Sequence, residues 1–423
     1  MKPAMKKYFF YIFFFIFLFI ALEILSSLGL FMLRKIRHIQ YQPIIFPIPP
    51  EQKEIIRNVL SDNKNFLIYS PTLGWTVRPN SESKGWPVRP NSELNSALYR
   101  SNSQGIRADR DYPLNGSTSG HFRLAAFGDS FTFCFDVANH ETWEAQLEGI
   151  DQHLEVLNFG VGGYALDQAF LRYKEDGVKF HPQIVLIGHM SENIYRLLTT
   201  FWPFYRPKAD IPFGKPRFIL KNGQLVLVDN PLSTREDLER LVNDDGGVLE
   251  RLKAQDYYAT HRYFQGPFDF LASVRIMKIA TSRFLRGDDV FKRKIYDTSG
   301  EAYQLTTKLI DEFYLLAESN SSIPIVLLFP NQFDLRMYIK NHKTCYSPLV
   351  EYLEKKGYRY IDLLNVFKDK IDSKKKIEEM LPNHNSPEAN QLIAQFIYSY
   401  LKTNHLLEKK PLPPTKPSAN SKF

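Results

Sequence analysis

From Arg123 onward the chain alternates short apolar runs with longer amphipathic stretches. The runs lie at 124–127, 156–159, 184–187, 325–329 and 358–363. Repeated strand-and-helix units of this kind predict a parallel, doubly wound α/β sheet. A helix at about 167–178 joins the second and third strands, and one opening at Ser386-Pro387-Glu388 closes the domain, proline being suited to a first helical turn. Between the third and fourth strands lies an insertion, 196–300. It carries a hairpin signal, Asn222-Gly223 between apolar runs, and a helix capping box, Ser233-Thr234-Arg235-Glu236. Such an insertion on the catalytic face could act as a lid, and its Phe201, Trp202, Phe204 and Tyr205 read as either a cleft wall or core.

Ahead of this pattern, residues 8–22 are uninterrupted aromatic and aliphatic sequence, and apolar character resumes after Glu23 as far as Leu33. That length crosses a bilayer. No small-residue cleavage site follows cleanly, which predicts an uncleaved transmembrane helix rather than a signal peptide. Lys2, Lys6 and Lys7 flank one side and Arg34, Lys35 and Arg37 the other, so charge gives no orientation. A carboxyl in hydrocarbon is costly unless neutralised or paired, so Glu23 marks either a partner helix or the interface of a tilted span.

Residues 38–120, rich in Pro, Asn and Ser, read as a stem folding back onto the domain. Within it Gly74-Trp75-Thr76-Val77-Arg78-Pro79-Asn80-Ser81 recurs as Gly85-Trp86-Pro87-Val88-Arg89-Pro90-Asn91-Ser92. Two copies are too few for a solenoid; they read as a local duplication, or as tryptophans set to touch carbohydrate. The stretch 406–423, with its lysines and prolines, reads as a disordered tail.

With 423 residues, 44% hydrophobic, the chain can bury a large core. Much of the net charge of +8 sits at the two ends, which implies no nucleic-acid partner. Cys134 and Cys345 are too few for a disulfide framework, and no Cys/His spacing suggests a metal. No cofactor is expected. Cys134 reads as a small buried hydrophobe.

Four segments carry candidate chemistry. Gly128-Asp129-Ser130 ends the first apolar run, which places a serine hydroxyl where α/β sheets hold their reactive groups. Asn158-Phe159-Gly160-Val161-Gly162-Gly163 ends the second, and Gly188-His189-Met190-Ser191-Glu192-Asn193 ends the third. His384 stands just ahead of the last helix. A serine nucleophile needs such a base. Taken singly, Ser130 is also a plausible helix N-cap and His384 an ordinary capping or surface histidine. Asp129 organises the turn, and His189 reads as structural.

In this order the four segments resemble the SGNH/GDSL hydrolase family over about 121–405. The resemblance implies a three-layer, flavodoxin-like fold with a five-stranded parallel sheet. It puts Ser130 on the nucleophile and His384 on the base. The oxyanion would face the Ser130 N–H, the Gly163 N–H and the Asn193 side chain. The family's acid normally precedes the histidine by two or three residues, where this chain has Leu381 and Pro382. Asn383, Glu379 or a backbone carbonyl is then expected to orient the ring, giving a slower enzyme, unless a carboxylate comes from elsewhere in the chain.

The combined expectation is a single-pass anchor over 1–37, a stem over 38–120, a hydrolase-like domain facing outward over 121–405, and the tail. The implied function is a membrane-anchored serine esterase or O-acyltransferase working through an acyl-serine, with O-acetyl esters of extracytoplasmic glycans as substrate. A lipid esterase and a catalytically silent glycan-binding domain of an envelope assembly are the alternatives.

Overall fold

Five strands, β1 (Phe122–Phe127), β2 (Leu154–Asn158), β3 (Ile184–Met190), β4 (Ile323–Phe329) and β5 (Tyr360–Asp362), form one sheet in the order β5-β4-β3-β1-β2. Every pairing is parallel. The computed structural model describes residues 3–37, 39–61, 65–84, 98–114, 120–282 and 290–408. The sheet is the predicted one, in the flavodoxin-like order, whose switch point falls between β1 and β3.

The strands alternate their side chains between two cores. Ala125, Phe127, Val185, Ile187, Val326 and Leu328 face one side, where they meet α4 (Leu166–Arg172) and α7 (Glu301–Ser319). Leu124, Ala126, Leu186, Ile325 and Leu327 face the other, against α3 (Trp143–Ile150) and α8 (Pro387–Thr403). Burial on both faces is why these strands read as continuous apolar runs rather than alternating ones.

The stem folds back onto the domain and joins the first core. Ile44, Ile56, Phe66, Trp75, Tyr99 and Ile106 are all buried there. Trp75 is wholly enclosed, so this copy of the repeat presents no tryptophan to carbohydrate; the second copy lies outside the described residues. Phe201, Trp202, Phe204 and Tyr205 are likewise buried and belong to the core rather than to a cleft wall. The insertion is tied down by a fully buried ion pair, Lys215 Nζ to Asp167 Oδ2 at 2.6 Å. Its hairpin forms over Arg217–Lys221 and Gln224–Val228. The capping box is one residue later than the sequence suggested: Thr234 Oγ1 accepts from the Asp237 N–H and Asp237 returns the bond. Leu406 is buried in the second core, so the tail does not begin there; residues 409–423 lie outside the described set.

One helix among the described residues, α1 (Pro3–Arg37), is long and apolar enough to cross a membrane over Lys7–Ile36, and its large apolar side chains are exposed along most of its length.

Candidate active site

The segment after β1 turns at Gly128, where a Cβ would strike Thr132, and enters the short helix α2 (Ser130–Phe133). Asp129 is the N-cap, its carboxylate accepting the Phe131 N–H at 2.9 Å. Ser130 therefore opens α2 at the carboxyl end of the sheet, beside the switch point.

His384 reaches the same place from the loop before α8. Ser386 caps α8 by accepting the Ala389 N–H, and Gln332 Nε2 donates to the carbonyls of Leu381 and Pro382, which holds the approach to the histidine. The rings of Phe131 and Phe135 each lie 5.2 Å from the imidazole. His384 Nε2 sits 2.9 Å from Ser130 Oγ.

At the other ring nitrogen stands a residue the sequence did not single out. His384 Nδ1 is 2.9 Å from Asp136 Oδ2. The expectation for the third member is thereby corrected: Asn383 is exposed, and Glu379 pairs with Lys375 and Lys376 in solvent. This carboxylate comes from the same turn that carries Ser130. After α2 the chain takes left-handed conformations at Cys134 (φ 59°) and at Asp136 (φ 72°), which fold it back toward the histidine. Asp tolerates this region better than most side chains do, but two such residues in one turn need support.

Arg107 supplies it. Its guanidinium is buried, donates to the carbonyls of Phe133, of Cys134 (2.5 Å) and of Val137 (2.5 Å), and bonds Asn139 Oδ1 through Nε at 3.1 Å. It also lies over the rings of Tyr99 and Phe133. Tyr99 Oη accepts the Asp136 N–H at 3.0 Å. Burial pulls the Arg107 pKa below its ordinary value, yet arginine remains charged at neutral pH. Beneath the turn, Cys134 Sγ lies 3.4 Å from Glu144 Oε2, and burial pushes both the thiol and the carboxyl well above their ordinary values. Cys134 is the buried small side chain expected.

The loops flanking β1 complete the site. At the end of β2, Asn158 bridges α2 and the glycine loop: its Nδ2 donates to Thr132 O and its Oδ1 accepts from Gly160 N–H, both at 2.9 Å. Gly160 has no room for a side chain, a Cβ there falling 2.2 Å from Phe133 N. Gly163 has φ +83°, a conformation natural to glycine. Its loop is braced by the stem, since Trp75 Nε1 donates to Gly162 O at 2.9 Å and Tyr164 Oη donates to Trp75 O at 2.6 Å. After β3, Asn193 opens α5 (Asn193–Arg196), buried, with an Oδ1 that makes no hydrogen bond. Arg196 links these loops by donating to Tyr164 O at 2.9 Å and approaching Asp129 Oδ2 at 3.4 Å.

His189 lies at the sheet end but faces away from this chemistry: it is buried against Tyr296 Oη at 3.1 Å, and burial, with the Arg196 charge second, holds its pKa down at about 3.

An ionised carboxylate only accepts hydrogen bonds, so Asp136 fixes the proton of neutral His384 on Nδ1. Nε2 is then the acceptor for the Ser130 hydroxyl, the arrangement that lets a histidine draw off a serine proton.

No family model matches the chain, and no curated protein matches it. Solved structures do. A member of the lipolytic protein G-D-S-L family from Veillonella parvula is 12% identical with a TM-score of 0.33, over 66% of this chain and 98% of that one. A catalytic mutant of an acetylxylan esterase from Geobacillus stearothermophilus is 11% identical with a TM-score of 0.34, over 70% and 99%. The psychrotrophic esterase EstA from Pseudoalteromonas sp. is 11% identical with a TM-score of 0.30, over 67% and 98%. At such identities and TM-scores no activity passes from these proteins to this chain.

Proposed function

We propose that this protein is a membrane-anchored serine esterase or O-acyltransferase of the SGNH/GDSL type that works through an acyl-Ser130 intermediate. The observation that carries the reading is the continuous path from Ser130 Oγ through His384 to Asp136, each link 2.9 Å. Ser130 Oγ attacks the ester carbonyl carbon as its proton passes to His384 Nε2, and Asp136 stabilises the imidazolium. The carbonyl oxygen becomes an oxyanion that the Ser130 N–H, the Gly163 N–H and the Asn193 amide are suited to receive. His384 then gives the proton to the leaving alcohol, and water or a sugar hydroxyl takes the acyl group from Ser130.

A silent binding domain has no use for a serine, a histidine and a carboxylate in register, so the enzyme reading is preferred. The choice of O-acetyl glycan over lipid ester rests on the family resemblance, and the outward-facing placement of the domain rests on it too.

Labelling by a fluorophosphonate probe tests the nucleophile. The full-length protein in detergent should react, and Ser130→Ala should lose both labelling and ester hydrolysis while remaining folded. Persistent labelling of the variant would remove Ser130 from its role. Release of acetate from an O-acetylated polysaccharide, set against turnover of long-chain esters, separates the glycan substrate from the lipid one.

A further inference from the structure

The turn at 266–271 keeps its charge inside and its rings outside. Asp269 accepts the Gly266 N–H at 2.8 Å, pairs with Lys278 Nζ at 2.6 Å and receives the Tyr41 hydroxyl, so that its side chain is only 7% exposed. Its two neighbours, Phe268 and Phe270, are 63% and 73% exposed. A turn facing water would do the reverse, since exposed carboxylates are well hydrated and exposed phenyl rings are not.

The position of the turn explains the inversion. The helix that follows it, α6 (Ala272–Ala280), lies against α1. Glu23 caps α6, accepting the Ala272 N–H at 2.6 Å, the Ser273 N–H at 3.3 Å and the Ser273 hydroxyl. Glu23 thus finds its partner helix within its own chain. Further along, Gly29 comes so close to Ile276 that a Cβ would lie 2.8 Å from its Cδ1. Contacts at 23 with 272–273 and at 29 with 276 run in the same order along both helices. The turn at 266–271 therefore lies on the side of α6 that faces the apolar run 8–22. A span needs about 20 residues to cross the hydrocarbon, which counted from Tyr8 brings α1 out of the bilayer near residue 27, about one helical turn past Glu23 and so close to the level of this turn.

The attachment is stiff. Beyond α1, Tyr41 stacks on Tyr263 with centroids 5.1 Å apart, and Ile44 exchanges backbone hydrogen bonds with Tyr263 and Gln265 at 2.9 and 2.8 Å.

We propose that Phe268 and Phe270 insert into the boundary of the same bilayer that α1 spans, giving the catalytic domain a second, monotopic hold on the membrane that fixes its orientation over the surface. This rests on α1 being retained as a span. A second copy of the chain and a partner's membrane helix are the other occupants the patch could take.

The test uses the full-length protein in phosphatidylcholine vesicles, with a fluorophore on one introduced thiol at a time: Phe15→Cys, Phe268→Cys, Phe270→Cys and, as a control on the exposed hairpin, Leu227→Cys. The native thiols of Cys134 and Cys345 are buried. Nitroxide-bearing lipids should extinguish most of the emission at 15, 268 and 270 and leave 227 bright. Quenching at 15 alone overturns the membrane contact while the span stands. Quenching at none of the four shows that α1 does not hold the chain in the bilayer, and both readings fall. Labels at 268 and 270 shielded from nitroxide lipid and from aqueous iodide alike would mean that protein covers the patch, which also overturns the proposal.

Discussion

Asp136 Oδ2 and His384 Nδ1 stand 2.9 Å apart, and the carboxylate comes from the turn that carries Ser130. Serine and acid are then placed by one rigid piece of chain, and only the histidine must be brought to them. Asp136→Asn should lower kcat by about 10³–10⁴-fold, because an amide no longer fixes the tautomer or stabilises imidazolium. Glu379→Ala and Asn383→Ala should stay near wild type. An Asp136→Asn enzyme of undiminished kcat, measured on a soluble ester, would show that the carboxylate takes no part.

Asn193 should behave as an oxyanion donor. Asn193→Ala is expected to lower kcat by roughly 10²–10³-fold with little change in stability. Asn193 Oδ1 caps nothing, since Glu192 is the N-cap of α5 and Oδ1 has no partner, so if the residue only packed into the fold the substitution would leave turnover per folded molecule near normal. Chemical denaturation and active-site titration, run on the same preparation, distinguish the two.

Arg107 should matter through Asp136 rather than through substrate. Lysine keeps the charge but cannot span the carbonyls of Phe133, Cys134 and Val137 together, so Arg107→Lys should leave at least one buried acceptor unpaired. That costs about 1–3 kcal/mol. Kcat should fall with KM nearly unchanged, and fluorophosphonate labelling should slow in proportion. A variant that loses stability but labels at the wild-type rate would make Arg107 a purely structural brace.

Much of this was legible in the sequence. The five strands showed as apolar runs because the sheet is covered on both faces, and Ser130 and His384 stood out because each adjoins a strand end or helix start with a readable local signal. Asp136 did not. It carries the acid six residues past the serine instead of just before the histidine, and what places it there is a pair of left-handed residues held by an arginine from a distant segment. The roles of Arg107 and Trp75 were hidden for the same reason: both come from a stretch poor in periodic pattern, and their partners are backbone carbonyls, which have no sequence signature. An acid following the serine helix, between aromatic and apolar neighbours, was the one available hint.

The last prediction concerns pH and a histidine outside the chemistry. Tyr296 spends its hydroxyl proton on Ser191 O at 2.6 Å, so it must accept from His189 Nε2, and the His189 proton is fixed there. Nδ1 is left buried without a partner. Protonating it would bury an unpaired charge, which is why burial holds the folded pKa at about 3 against an ordinary value of 6.5. The unfolded chain takes up this proton as pH falls through 6.5, while the folded one does not until about 3. His189 therefore contributes stability in full above pH 6.5 and loses it progressively as the pH falls toward 3. One such group changes stability by at most about 1.4 kcal/mol per pH unit. Urea midpoints for the protein in detergent should decline through this window, and His189→Gln, which cannot titrate, should decline less steeply. Parallel declines would show that the folded protein already accommodates the charged ring.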